Sequence, residues 1–344
     1  MSNSRIGPFV LEERLGGARS SVFRALQVAQ KRAAALRIFP ASLIATAAGR
    51  SAFSAEAALL KKLTHPSIAR CHGGGLEGTQ AYIAYDLVRG ETLAKLLERR
   101  GRIAWEQVVA WGKQLCGALA QAHELGLLHL DLTPDKLIIA EDGRIVVTDF
   151  RQDRTLNPLC ASSLVKTPER LAYQSPEQIQ QQSPLTLKAD LYSLGCILFT
   201  MLAGQPPCGS LEGKEMQQIA ELQVNAIPPR VSSIVLDCPV WLEAVVEQLL
   251  QKDPMKRPHS AGAALLALEE AERKLAAGVG VMQHAVGGFS TIKMQVDKSE
   301  AGRILGIRKP AAPKVPFHEQ TWFIATALTL LGGFLIFALS IPFN

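Results

Sequence analysis

The chain has 344 residues, 48% hydrophobic and 20% charged, which is enough apolar side chain for one large core or two smaller ones and argues against wholesale disorder. Its net charge of +6 is dispersed, with no basic run interleaved with aromatic residues, so nucleic acid is not expected as a partner. The six cysteines lie far apart without a C-x-x-C pair or a histidine cluster, a pattern that excludes an evident zinc site and suits a reduced environment.

In chain order, the opening residues lack the basic-then-apolar pattern of a secretory signal. Residues 1–88 read as a strand-rich lobe, with β-type runs at Ser21 to Ala25 and Ala34 to Phe39. One helix is expected from about Ser51 to Leu63, because Phe53, Leu60 and Leu63 recur at helical spacing and leave Glu56 on a neighbouring edge. His65-Pro66 ends it. Residues 89–277 read as mostly helical: Val108, Leu115, Leu119 and Ala122 make an apolar stripe closed by Gly126. Further helices are expected at about Leu191 to Leu202, Pro239 to Leu250 and Ser260 to Leu275.

Residues 278–320 shift to Gly, Ala, Pro and scattered charge and read as a flexible tether. Residues 321–342 read as a membrane helix, since Thr321 to Leu339 carries no charge and about 20 helical residues at ~1.5 Å each cross a ~30 Å hydrocarbon core. Arg303, Arg308, Lys309 and Lys314 precede this segment and no basic residue follows it, so the expectation is a single-pass C-terminal anchor with the long N-terminal part in the cytoplasm.

The chemistry concentrates in two stretches. Leu128 to Ile139 reads LHLDLTPDKLII, and Val147 to Arg151 reads VTDFR. Four other ordered segments accompany them: LGGARSSVF from Leu15, AALR from Ala34, DLYSLG from Asp190 and KDPMKRP from Lys252. This series resembles the protein kinase family over about Phe9 to Leu268, and most nearly the bacterial Ser/Thr protein kinases that carry a membrane segment. The resemblance implies an α+β, two-lobed fold, with a β-rich N-lobe, a mostly helical C-lobe and, here, a transmembrane helix after them. It also implies ATP and Mg²⁺ as ligands and a protein as substrate or binding partner.

Carried over position by position, the resemblance makes Asp131 the catalytic base that orients a substrate hydroxyl, and Asp149 the metal ligand. Gly16 and Gly17 stand in the phosphate loop, where only the first part of the glycine pattern is kept. Val22 and Ala35 above, and Ile138 below, would enclose adenine, with backbone hydrogen bonds from the hinge at Asp86 to Val88 and Tyr85 narrowing the rear of the pocket. Arg37 stands where the family has the lysine that bridges the phosphates and Glu56; its alternatives are a phosphate contact or a structural ion pair with Glu56. Asp190 would anchor the catalytic loop, Arg257 would pair with Glu177, and His129 would pack beneath Phe150.

Four positions depart from the pattern. Lys136 replaces the asparagine that supplies an oxygen to a second Mg²⁺, and an ammonium has three donors and no acceptor. It either abolishes that metal site or takes over its role by contacting the phosphates. Thr133 replaces a lysine, Leu130 the arginine that receives an activating phosphate, and Arg151 the glycine after Asp149-Phe150. Altered charges at one centre point to a nucleotide-binding pseudokinase with weak or no phosphotransfer. The alternatives are an active Ser/Thr kinase using a single Mg²⁺ and an adaptor that never binds nucleotide.

Overall fold

A computed structural model describes residues 4–16, 20–150, 167–276, 279–282 and 292–295. Nine α-helices and eleven strands fall among these described residues. The compact unit Met1–Met294 contains both expected lobes.

The N-lobe is one antiparallel sheet of β1 (Arg5–Ile6), β2 (Phe9–Leu15), β3 (Val22–Gln27), β4 (Arg32–Phe39), β5 (Cys71–Glu77) and β6 (Gln80–Asp86) in the order β1-β2-β3-β4-β6-β5. Two-residue periodicity gives this sheet two different faces. Ala34, Leu36 and Ile38 of β4 join Tyr82 and Ala84 of β6 in a small outer cluster around Phe9 and Ala25. The alternate residues Ala35 and Phe39, with Ala81, Ile83 and Tyr85, belong to the main core. Arg37 lies in register between Ala35 and Phe39, so its side chain is directed to the inner face.

Helix α1 (Ala47–Leu60) packs on that inner face through Phe53, Ala57 and Leu60. It begins one turn earlier than the hydrophobic spacing predicts because Thr46 caps it, its hydroxyl accepting from the Gly49 N–H at 3.0 Å. Glu56 faces inward and is 3% exposed.

The lobes meet through a small sheet of β7 (Gly90–Thr92), β8 (Leu137–Ala140) and β9 (Ile145–Val147). Val147 pairs with the segment leaving α1: its N–H donates to the Ser67 carbonyl and its carbonyl accepts from the Ala69 N–H, both at 2.9 Å. The C-lobe core is built from α2 (Leu93–Arg100), α3 (Trp105–Glu124), the short α4 (Pro168–Leu171) and α5 (Pro176–Ile179), α6 (Leu187–Ala203), α7 (Met216–Asn225), α8 (Val240–Leu249) and α9 (Ala261–Ala276). All four residues of the predicted α3 stripe are fully buried. Gly126, at φ +71°, supplies the left-handed turn that releases the chain from α3 toward the catalytic stretch. Helix α6 is buried almost throughout, and at Gly195 a Cβ would meet that of Leu249 at 2.8 Å, so glycine sets the approach of α6 to α8.

One expectation is corrected. Two strands, β10 (Val279–Met282) and β11 (Ile292–Gln295), pair within the span read as an unstructured tether. β10 carries valines at alternate positions, Val279 and Val281, and β11 begins with Ile292, a local signal that the Gly- and Ala-rich surroundings dilute. The expected membrane segment 321–342 lies outside the described residues, as do Gly17 and Arg151. Among the described residues, no helix is long and apolar enough to cross a membrane.

Candidate active site

The catalytic stretch is held from beneath by one carboxylate. Asp190, on the first turn of α6 and fully buried, accepts from the backbone N–H of His129 at 2.8 Å and of Leu130 at 2.7 Å. His123 of α3 contacts the same carboxylate at 2.9 Å. Leu130 adopts φ +55°, and its carbonyl accepts from the Gln178 amide at 3.0 Å, so the strained residue is fixed on both sides. Burial pushes the Asp190 carboxyl up, but the His123 hydrogen bond and the neighbouring charges and N–H donors outweigh it and leave it below its ordinary value.

His129 is a packing residue. Its ring meets Phe150 edge-on at 4.9 Å between centroids. Nε2 lies 2.9 Å from the Thr148 carbonyl and Nδ1 accepts from the Asp131 N–H at 3.3 Å, which together require the neutral Nε2–H tautomer. Burial pushes the imidazole down, the direction that preserves this neutral form.

Asp149 follows β9 in the left-handed region at φ +66°. Its two carboxylate oxygens face two different cations: Oδ1 accepts from Arg37 Nη1 at 3.0 Å, and Oδ2 forms an ion pair with Lys136 Nζ. The side chains of Arg37 and Asp149 are 10% and 12% exposed and that of Lys136 28%, so solvent screens these pairs only in part. Arg37 reaches Asp149 from β4 with its guanidinium over the Phe39 ring, 5.2 Å from the centroid. Lys136 is delivered by backbone pairing: its carbonyl accepts from the Thr148 N–H at 2.9 Å and hydroxyl at 3.1 Å, directly before Asp149. Glu56, Arg37 and Asp149 all surround the buried Tyr85, whose phenol is raised first by burial and then by Cys71.

Asp131 has a partner that the sequence reading gave no role. Arg170 of α4 places Nε 2.9 Å and Nη2 2.5 Å from its Oδ1. The signal was present in Thr167-Pro168-Glu169-Arg170, a capped helix start with proline at its first position, and Thr167 does accept from the Arg170 N–H at 3.4 Å. Its reach to a residue 39 positions away was not legible.

Of the remaining candidates, Gly16 is exposed at φ +73°, while Val22, Ala35, Val88 and Ile138 are half-buried along strands and hinge. The Asp86 N–H already donates to the Arg70 carbonyl at 2.9 Å, and its carboxylate engages Arg32 at 2.5 Å and His72 at 2.7 Å. Only its carbonyl is left as a hinge contact. A groove of about 820 Å³ borders this hinge, lined by Arg32, Arg70, Asp86, Arg89, Glu141 and Arg144, and it includes neither Asp131 nor Asp149. Away from the cleft, Arg257 grips Glu177 with both nitrogens, at 2.6 and 2.9 Å, and both residues are buried.

The donor set does not fit a magnesium ion. Both Asp149 oxygens and Asp131 Oδ1 are engaged by cationic side chains, and Lys136 offers no lone pair. A divalent ion about 4 Å from the Lys136 ammonium would meet a repulsion of about 8 kcal/mol at an effective dielectric near 20.

Compared with known proteins, residues 9–266 match the protein kinase domain. The chain belongs to the protein kinase family. Among curated relatives, it is 29% identical over 244 residues to the serine/threonine-protein kinase PknL of Mycobacterium bovis, covering 70% of this chain and 59% of that protein. It is 28% identical over 255 residues to the serine/threonine-protein kinase PknE of Mycobacterium tuberculosis, covering 74% and 44%. The chain thus spans between 44% and 59% of the lengths of these relatives. The crystal structure of the M. tuberculosis PknI kinase domain superposes with a TM-score of 0.61 at 25% identity, covering 79% of this chain and 99% of that one. This kinase-family chain has a two-lobed fold, and the relatives to which it is similar are bacterial serine/threonine-protein kinases.

Proposed function

We propose that this kinase-family chain is a membrane-anchored signalling protein that binds nucleotide and a partner protein but transfers phosphate weakly or not at all. The observation that carries the reading is the double engagement of Asp149 by Arg37 and Lys136. The Arg170 contact with Asp131 adds to it, because a base already hydrogen-bonded to a guanidinium is a poor acceptor for a substrate hydroxyl. The scaffold around Asp190 and Arg257 supports a role that depends on a well-formed surface and cleft. Membrane attachment rests on the uncharged stretch from Thr321 to Leu339, with the kinase-like domain on the cytoplasmic side.

The test is incorporation of labelled phosphate from ATP by the purified chain with Mg²⁺ or Mn²⁺, beside Asp149→Ala and Asp131→Asn. The expected signal equals that of the two variants. Incorporation that both variants abolish would overturn the proposal. It would favour the second reading, an active Ser/Thr kinase with one Mg²⁺, to which the retained Asp131 and Asp149 and the names of the curated relatives lend weight.

A further inference from the structure

The disagreement between the cleft and a magnesium ion has a consequence for its ligand. In a magnesium-dependent cleft, the metal offsets polyphosphate charge and aspartates hold the metal. Here Asp149 holds an ammonium and a guanidinium instead. The backbones that carry both cations are fixed: that of Lys136 through its carbonyl to Thr148, and that of Arg37 in the middle of β4 between β3 and β6. A metal entering at Asp149 would have to displace one of them.

Lys136 has donors to spare: an ammonium carries three N–H groups, of which the Asp149 bond uses one. Lys136 is the more exposed of the two, 28% against 10%, so a phosphate can approach it without unpacking the lobe interface. Asp149 would then hold Lys136 in position while phosphate oxygens accept from its other N–H groups, the arrangement in which a fixed charge replaces a mobile ion.

We infer that the cleft takes its nucleotide as the metal-free polyphosphate, held by Lys136, and that Mg²⁺ opposes binding. This rests on the reading of the cleft as a nucleotide site and names the ionic form of the ligand that it accepts. Magnesium opposes binding in two ways: it converts free ATP to its chelate, and the chelate brings a divalent cation against Lys136 and Arg37.

The test is calorimetric titration of the full chain, in detergent, with ATP in EDTA and then at rising Mg²⁺. The expected result is saturable binding in EDTA that weakens several-fold as Mg²⁺ exceeds ATP. Lys136→Asn removes a charged contact and restores an oxygen, so affinity for ATP in EDTA falls about tenfold or more, while Mg²⁺ now strengthens binding. Lys136→Met loses the EDTA affinity without gaining a magnesium response, which separates lost charge from a regained ligand. Binding seen only with Mg²⁺, or equal binding by wild type and Lys136→Met in EDTA, overturns the inference. So does the absence of binding under every condition. That last result leaves the reading of weak phosphotransfer intact, because phosphate incorporation is measured separately.

Discussion

The Arg170 guanidinium closes on Asp131, with Nε at 2.9 Å and Nη2 at 2.5 Å from one carboxylate oxygen. The Asp131 side chain is 4% exposed, so the contact is largely shielded from water. Both acids that resemble the kinase catalytic pair are thus engaged by side chains of the same polypeptide.

Two locks at one centre are expected to act together. Arg170→Ala alone frees Asp131 but leaves Asp149 engaged, and Lys136→Asn alone frees Asp149 Oδ2 but leaves Oδ1 with Arg37 and Asp131 with Arg170. Each single variant is expected to raise magnesium-dependent phosphate incorporation little, and the double variant to exceed the product of the two effects by about tenfold or more, a coupling of at least about 1.4 kcal/mol. Labelled-phosphate assays on the four proteins give this cycle directly. Strictly multiplicative effects would mean the two contacts are independent.

Asp190 is expected to matter for folding before chemistry. Asp190→Ala leaves the buried N–H groups of His129 and Leu130 without their acceptor, at about 1–3 kcal/mol each. A loss of more than about 2 kcal/mol in urea unfolding is expected, with an unchanged m-value. Asp190→Asn keeps one acceptor oxygen and is expected to fall between the two.

The pair Arg257 and Glu177 tests a different contact. Both are buried, and Arg257 also donates to the carbonyls of Lys188, Gln251 and Lys252. Glu177→Gln leaves a buried guanidinium short of its counter-charge, with an expected loss of about 3–5 kcal/mol. Arg257→Lys is not expected to rescue function of the pair, because an ammonium cannot make the two parallel bonds to the carboxylate. Denaturant titration of both variants distinguishes geometry from charge.

Those scaffold pairs were legible in the sequence; the cleft pairs were not. Asp190 with the catalytic stretch, and Arg257 with Glu177, are what the resemblance of these motifs to the kinase family implies. Arg37 is different, because Glu56 and Asp149 are both acidic and both near the inner face of the N-lobe sheet. Its contact with Asp149 depends on where β9 meets the segment after α1, a long-range pairing that periodicity does not encode. Arg170 was hidden for a similar reason: its role depends on the direction in which α4 is aimed, not on its residue type. The start of α1 was misread by a turn because the Thr46 cap lies outside the apolar repeat.

Stability is expected to fall with acidification from near neutrality. Burial holds His129 neutral and below its ordinary value, against the upward pull of Asp190, the Thr148 carbonyl, Asp131 and Asp149; burial likewise lowers His65. Below about pH 6.5 the unfolded chain therefore binds protons that the folded chain refuses, and the free energy of unfolding drops. Asp190, lowered in the fold, adds a second loss as pH falls through the carboxylate range. Tm is expected to decline from pH 7 to pH 5 and more steeply below pH 4. His129→Gln, which keeps a donor but does not titrate, is expected to flatten the first limb; an unchanged slope would assign that limb to other groups.

The proposed anchoring is expected to be separable from the kinase-like unit. Thr321 to Leu339 contains no charged residue, whereas Arg303, Arg308, Lys309 and Lys314 lie within a short distance on its N-terminal side. A helix of about 20 residues would rise ~30 Å, enough to cross a bilayer, and in the proposed arrangement the basic flank is expected on the cytoplasmic side. The full chain is expected in the membrane fraction and resistant to alkaline extraction, while a chain ending at Gln320 is expected in the soluble fraction with the same Tm for its folded unit. Replacing Leu331 and Leu335 by arginine adds about 2.5–3.5 kcal/mol each to insertion at mid-bilayer and is expected to release the full-length chain. Retention of the truncated chain on membranes would place attachment elsewhere in the protein.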